Sequence, residues 1–299
     1  MSTRAAPPAA GTDIAPLANV NGERVPLAEA KVPVLDRGFL FGDSVYEVLR
    51  VYGGKPWLED EHFARLGHSL GEIRITGVDL DRVRRRVRET IAAGPFHEAT
   101  AYVQITRGAA PRSHPFPSGA VPFELIFVQP FRDPYVEARQ NGGGVVMLED
   151  IRWSRCDIKS TNLLANVLSM QAAKEAGCLE AILYRADGTL TEGTHSSLFG
   201  VVAGTLRTAP RTKAILPGVT RGLVTRLANE AGVPIDERGL KREELARVDE
   251  LFLTGTTTEV LPVVTIDGRP VGDGRPGPVT RRLQETYRRT VSAFLAKAD

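Results

Sequence analysis

The stretch that most constrains how this 299-residue chain folds runs from Val145 to Leu168. Val145 to Trp153 is dense in β-branched and apolar residues and reads as a buried strand. Ser160 and Thr161 are N-cap residue types, and Leu163, Leu164, Val167 and Leu168 follow at helical spacing. Gly177 then supplies a C-terminal stop. A strand that feeds a helix through one charged turn calls for an α/β architecture. Lys159 sits in that turn, beside the expected positive end of the helix and near Arg155. Both neighbours, together with partial burial, disfavour a protonated ammonium and mark Lys159 as a candidate nucleophile. An ordinary loop lysine meets the same pattern, so the rest of the chain has to separate the two.

Length allows a sizeable core and predicts two domains, with one large α/β domain as the alternative. We divide the chain into an N-terminal extension (1–15), a small α/β domain (16–131), a linker (132–144) and a large α/β domain (145–299). The extension is rich in Ala, Pro and Gly without an apolar signal core, and is expected to be disordered. The linker carries Pro134 and three successive glycines, Gly142 to Gly144. A formal charge of +2 is close to balance. The basic run Arg82 to Arg88 alternates with Val83 and Val87, which predicts a solvated helix face rather than a nucleic-acid patch. Cys156 and Cys178 make neither a disulfide framework nor a metal cluster and suit a reducing, cytoplasmic setting. No apolar run approaches a membrane span.

In the first half, Asn21-Gly22 predicts a hairpin over Asn19 to Pro26. Ser44 to Tyr52 alternates as a strand, with Tyr46, Val48 and Arg50 on one face and Val45, Glu47, Leu49 and Val51 on the other. Lys55 to Leu58 is a second strand. Helices are expected at roughly Glu59 to Ile73 and Asp79 to Ala92, with Phe63, Leu66 and Leu70 on the first apolar stripe. Arg65 lies off that stripe and faces solvent on pattern alone. Strands Ala101 to Arg107 and Pro122 to Val128 flank a long loop that holds three prolines. Those prolines stiffen the backbone around Arg112 and His114, an arrangement suited to clamping a carboxylate, although a plain polar loop reads the same way.

In the second half, Glu180 to Tyr184 and Leu190 to Glu192 form a hairpin around Ala186-Asp187-Gly188, followed by strands at Thr194 to Val202 and Thr205 to Thr208. Ile215-Leu216-Pro217-Gly218-Val219-Thr220 leads into a helix over roughly Thr220 to Ala231, whose free N–H groups favour an anion such as phosphate. A short strand, Glu250 to Leu253, runs into Thr254-Gly255-Thr256-Thr257-Thr258, again apt for an oxyanion or equally a Thr-rich strand edge. An Ile266-Asp267-Gly268 turn and a helix from Pro278 to Ala296 close the chain.

A candidate lysine nucleophile, two anion-cradling loops and no metal or dinucleotide motif point to a phosphorylated carbonyl cofactor held as a Schiff base, for which pyridoxal 5'-phosphate fits best. That cofactor needs a carboxylate at its ring nitrogen, and Glu192 is available. The motifs DRGFLFGDSVYEV, HFARL, ITRGAAPRSHPFP, EDIRWSRCDIKSTNLL, LTEG, ILPGVTR and LFLTGTTTEVLPV together resemble the fold-type IV pyridoxal-phosphate aminotransferases, and within them the D-amino acid-specific branch. The resemblance spans about Asn19 to Tyr287.

The resemblance implies two α/β domains with the cofactor between them, and a homodimer in which the small domain faces the partner's site. It assigns Lys159 to the covalent link and to proton transfer, Arg65, Val219, Thr220 and Thr256 to phosphate, Glu192 to the ring nitrogen and Leu216 to the ring face. Tyr46, Arg112 and His114, with Thr257, match the substrate side. The implied reaction is ping-pong transfer of an amino group between a D-amino acid of the alanine or glutamate type and pyruvate or 2-oxoglutarate. Branched-chain L-amino acid transaminase, (R)-amine transaminase and aminodeoxychorismate lyase share the cofactor residues, as would a non-catalytic cofactor-binding protein. Two departures stand out. Thr194-His195-Ser196-Ser197 replaces the frequent Ser-Ser-Ser-Asn, and Gly255 occupies the serine position of the D-enzymes, as in the branched-chain L-enzymes.

Overall fold

The computed structural model describes residues 16–297, so the extension expected over 1–15 lies outside the described residues. Strand phase organises the first half. Asn21 and Gly22, at φ 53° and 102°, close a hairpin between β1 (Leu17–Val20) and β2 (Glu23–Pro26), as a turn with two left-handed residues should. An antiparallel sheet in the order β2-β1-β6-β5-β3-β4 adds β3 (Ser44–Tyr52), β4 (Lys55–Pro56), β5 (Ala99–Thr106) and β6 (Phe123–Pro130). Between β2 and β3 lies a one-turn helix, α1 (Arg37–Phe41), which the sequence reading missed. Asp36 caps it by accepting from Gly38 N–H at 2.8 Å, and Gly42 ends it at φ 65°.

Helices α2 (Glu59–Glu72) and α3 (Leu80–Ala93) cover one face of this sheet. Val45, Leu49 and Val51 are fully buried there against Phe63 and Leu66 of α2 and Val83 of α3. Burial of such side chains is worth about 1.5–3 kcal/mol each. The outer face of α3 carries the basic run: Arg84 pairs with Asp60, Arg86 with Glu124 and Arg88 with Glu59.

The stretch between the sheets carries a short helix, α4 (Val136–Asn141), before β7 (Gly143–Glu149) begins. The second sheet is mixed and runs β12-β11-β10-β13-β14-β7-β8-β9, with β15 on β14. Its further strands are β8 (Glu180–Tyr184), β9 (Leu190–Gly193), β10 (Ser197–Val202), β11 (Thr205–Thr208), β12 (Ile235–Asp236), β13 (Glu250–Gly255), β14 (Glu259–Ile266) and β15 (Arg269–Pro270). Each face buries a core. On one face α6 (Val219–Glu230) and α7 (Pro278–Ala296) pack Leu223 and Leu283 against Phe199 and Phe252, whose rings stack 5.0 Å apart. Tyr52 and Trp57, from the first half, join that core. On the other face Val145, Ile182, Leu198 and Leu253 pack together.

The helix after Lys159 differs from expectation. It is α5 (Leu164–Glu175), two to three residues later than Ser160 or Thr161 as its cap would place it. Ser160 bridges Val45, and the Thr161 and Ser44 hydroxyls lie 2.5 Å apart. The sheet edge therefore claims the residues that looked like caps. The apolar residues Leu164, Val167 and Leu168 also face outward, at 72%, 58% and 54% exposure.

Candidate active site

Lys159 is positioned by its backbone. Its N–H donates to Ser69 Oγ at 3.1 Å, and its carbonyl accepts from Tyr46 N–H at 2.9 Å. The lysine segment thus extends the free edge of β3, with Ile158 anchored in the first core. The ammonium Nζ lies 4.1 Å from the centroid of the Tyr46 ring, a cation–π contact. The other neighbour invoked from the sequence is also engaged elsewhere: Arg155 pairs with Asp157 at 2.8 Å and with Glu72. The helix expected to begin beside Lys159 starts only at Leu164, and Arg155 is held by its own carboxylate partners. The Lys159 side chain lines a cavity of about 290 Å³ that lies between the two sheets' loops.

Arg65 enters the same cavity from α2, buried at 8% exposure, where the helical pattern alone placed it in solvent. The reason is Glu47. That carboxylate shares the apolar phase of β3 with Val45 and Leu49, and it is buried. Arg65 donates to it through Nε at 2.7 Å and Nη2 at 2.8 Å, and His62, one turn earlier, holds it at 2.7 Å through Nδ1. Burial alone pushes the carboxyl up, but the Arg65 charge and hydrogen bonds, with His62, outweigh it and hold Glu47 at about 2. Arg65 Nη1 also donates to Pro217 O at 3.1 Å, just before α6 begins. The guanidinium is therefore fixed on one side and still has N–H groups to offer.

Glu192, at the end of the hairpin, is buried and lines the cavity. Arg152 Nη1 donates to it at 2.5 Å, and the Leu216 N–H sits 3.1 Å from both of its oxygens. Arg152 is itself fixed by Asp150 at 2.9 Å. Burial pushes Glu192 up to about 7 against the pull of Arg152. Sequence reading missed Arg152, Glu47 and His62. Glu47 had a legible signal, because a carboxylate in an apolar strand phase needs a cationic partner.

Val219 and Thr220, the first residues of α6, also line the cavity, as do Leu216, Thr256 and Tyr46. No side chain caps the twelve-residue α6, so its first N–H groups face the cavity as donors. Thr254 Oγ1, also in the lining, is buried without a protein partner. A buried guanidinium, a helix start and threonine hydroxyls suit a phosphate dianion. A carboxylate and a primary amine in the same cavity complete the needs of pyridoxal phosphate, so the residues present fit that cofactor.

Not every expected residue converges. Thr257 lies in the turn between β13 and β14 and is outside the cavity lining. Arg112 and His114 are exposed and do not reach this chain's cavity. Their loop is nevertheless ordered: buried Arg37 donates to Ser113 O at 2.5 Å and His114 O at 3.1 Å. His114 packs on Phe41 at 5.5 Å, with the Arg112 guanidinium 5.3 Å from the same ring. His195 lines the cavity, with Nδ1 3.1 Å from Thr194 Oγ1 and 3.3 Å from Glu180. Buried Glu180 also accepts from Thr194 Oγ1, His195 N–H and Ser196 Oγ at 2.8–2.9 Å. The departing Thr-His-Ser-Ser motif is thereby organised around one carboxylate.

Comparison with known proteins agrees with this chemistry. Residues 44–266 match the family model of the class IV amino-transferases. The chain is 41% identical over 281 residues to the D-alanine aminotransferase of Bacillus licheniformis, covering 93% of this chain and 98% of that relative. The branched-chain amino acid aminotransferase of Escherichia coli superposes with a TM-score of 0.84 at 31% identity, over 91% of this chain and 93% of that one. A branched-chain amino acid aminotransferase from T.th., solved with pyridoxamine 5'-phosphate, gives 0.85 at 28% identity, over 93% and 95% of the two chains. With the family match spanning most of the chain and all the cofactor chemistry gathered in one cavity, this protein belongs to the class IV, fold-type IV aminotransferases, which are pyridoxal-phosphate-dependent enzymes.

Proposed function

We propose that the chain transfers an amino group between a D-amino acid and a 2-oxo acid, with Lys159 as the catalytic residue. The observation that carries this reading is the convergence of Lys159, Arg65 and Glu192 on one cavity. Bound there, pyridoxal phosphate supplies an electron sink for the substrate's α-carbon and a carrier for its amino group. Arg65, the Val219 and Thr220 N–H groups and Thr256 hold the phosphate. Leu216 and Glu192, the latter fixed by Arg152, would hold the ring, with the carboxylate favouring a protonated ring nitrogen. Lys159 Nζ carries the covalent link. As a free amine, Lys159 would move the proton at the substrate's α-carbon as general base and then acid. Tyr46, against Nζ, orients the amine and borders the substrate.

The hand of the substrate follows from the D-alanine aminotransferase relative and from the Arg112-Ser113-His114 motif. In this reading the loop that Arg37 pins reaches the cavity of a second copy, where Arg112 pairs with the substrate carboxylate and His114 and Thr257 border it. The uncovered apolar residues Val32, Phe39, Leu164, Val167 and Leu168 supply the face for that copy. Cys156 and Cys178 are free thiols, which suits work in a reducing compartment such as the cytoplasm.

One observation favours a second reading, branched-chain L-amino acid transamination. Gly255 takes the serine position of the D-enzymes, and a Cβ there would meet Thr258 Oγ1 at 2.6 Å. Coupled assays of the purified protein with D-alanine and with L-leucine, each against 2-oxoglutarate, separate the two. We expect turnover of D-alanine, abolished in Lys159→Ala. Turnover of L-leucine alone rules the D-reading out.

A further inference from the structure

The turn that carries Thr256 is held from behind by a residue outside the cavity. Glu259 opens β14 with φ 58°, a left-handed backbone that non-glycine residues adopt only when their surroundings enforce it. The enforcing contacts are specific. Tyr52 Oη donates to Glu259 Oε1 at 2.8 Å, and Arg139 Nε lies 3.7 Å from Oε2. Arg139 Nη1 donates in turn to the Thr258 carbonyl at 3.3 Å. Gln284 Nε2 donates to the carbonyls of Arg139 at 2.8 Å and Val260 at 3.0 Å. One side of the turn is closed by the Gly255–Glu259 pairing, and the other is tied to α4 and α7.

Tyr52 gives this arrangement its reach. It is the last residue of β3, the strand that carries Tyr46 and Glu47, and it is buried in the second sheet's core beside Trp57. Trp57 Nε1 donates to Tyr287 Oη at 3.1 Å in the same aromatic group, so Tyr52 has little freedom. The Glu259 carboxylate therefore registers the threonine turn against the strand that positions Arg65 through Glu47. Neither Glu259 nor Tyr52 lines the cavity.

We propose that Glu259 is a positioning residue for the cofactor phosphate: by fixing the Gly255–Thr258 turn to Tyr52 and Arg139, it sets Thr256 against the phosphate that Arg65 and α6 also bind. This rests on the cofactor reading given above. Three variants of the full-length protein test it: Glu259→Gly, Glu259→Gln and Tyr52→Phe. Glycine suits the left-handed backbone, so it isolates the loss of the carboxylate, while glutamine keeps an acceptor for Tyr52. The readouts are the pyridoxal phosphate dissociation constant, from a titration of visible absorbance, and the melting temperature without cofactor. We expect Glu259→Gly and Tyr52→Phe to weaken cofactor binding about tenfold or more, the scale of a lost hydrogen bond to a charged group. Glu259→Gln should stay near wild type.

A purely structural role predicts a lower melting temperature with an unchanged dissociation constant, and that result overturns the proposal. So does a glutamine variant as weak as the glycine one. If Glu259→Gly does not fold, Tyr52→Phe carries the same comparison. Wild-type protein that fails to bind pyridoxal phosphate overturns the functional reading, and this role with it; intact wild-type binding with unaffected variants overturns this role alone.

Discussion

Glu47 shows how one residue ties the stability of the molecule to its site. It takes an apolar phase of β3, where Arg65 of α2 neutralises it and His62, one turn earlier, hydrogen-bonds it. The carboxyl is held at about 2, well below its ordinary value of 4.5. A depressed folded-state pKa adds stability that is present in full above the unfolded value and is lost as pH falls through the folded one. Cofactor-free wild-type protein should therefore lose melting temperature between about pH 4.5 and 2 more steeply than Glu47→Gln. At neutral pH the variant should itself be less stable by about 3–5 kcal/mol, because it leaves Arg65 buried without its counter-charge. Melting curves across that pH range check both points, and parallel pH profiles for the two proteins would contradict them. The same residue made Arg65 findable: reading the carboxylate's phase, not the arginine's, points to a buried pair.

At the scale of elements, what was legible followed local rules. The Asn21-Gly22 hairpin, β3 and α7 formed where turn chemistry, alternation and the Pro278 start placed them. Where a distant contact decided the outcome, the pattern misled. Ser160 and Thr161 have the side chains of caps, but pairing with Ser44 and Val45 draws them to the sheet edge, and α5 starts only at Leu164. Strand β14 escaped notice because Pro262 sits within it. A proline normally argues against a strand flanked on both sides. Here Pro262 opposes Phe252 of β13, and the parallel pairing with β7 shifts register between Val263 and Thr265. The helix start at Val219 and Thr220 and the threonine turn were legible as candidate anion loops, because their donors lie together in local sequence. Arg152 was not, since its role depends on Asp150 and Glu192 meeting across two strands.

At the scale of the whole molecule, α5 presents leucines and valine to solvent while burying only Ser169 and Ala173. An exposed apolar helix face of that kind supports the second copy proposed above. We predict that the protein sediments as a dimer, and that Leu164→Glu with Leu168→Glu shifts it toward monomer and removes activity. Mixing Lys159→Ala with Arg112→Ala subunits should recover turnover that neither variant shows alone, because one site of the hybrid then has both residues intact. A monomeric wild type, or mixed subunits without recovery, contradicts the shared site.

All of this turns on Lys159 moving a proton at the α-carbon of a D-amino acid. Proton NMR of alanine in deuterated water, with pyridoxal phosphate-loaded protein and no oxo acid acceptor, reads that step directly. We expect exchange of the α-proton of D-alanine for deuterium, none in L-alanine, and none of either with Lys159→Ala. Exchange confined to L-alanine, or undiminished in the lysine variant, would contradict that role.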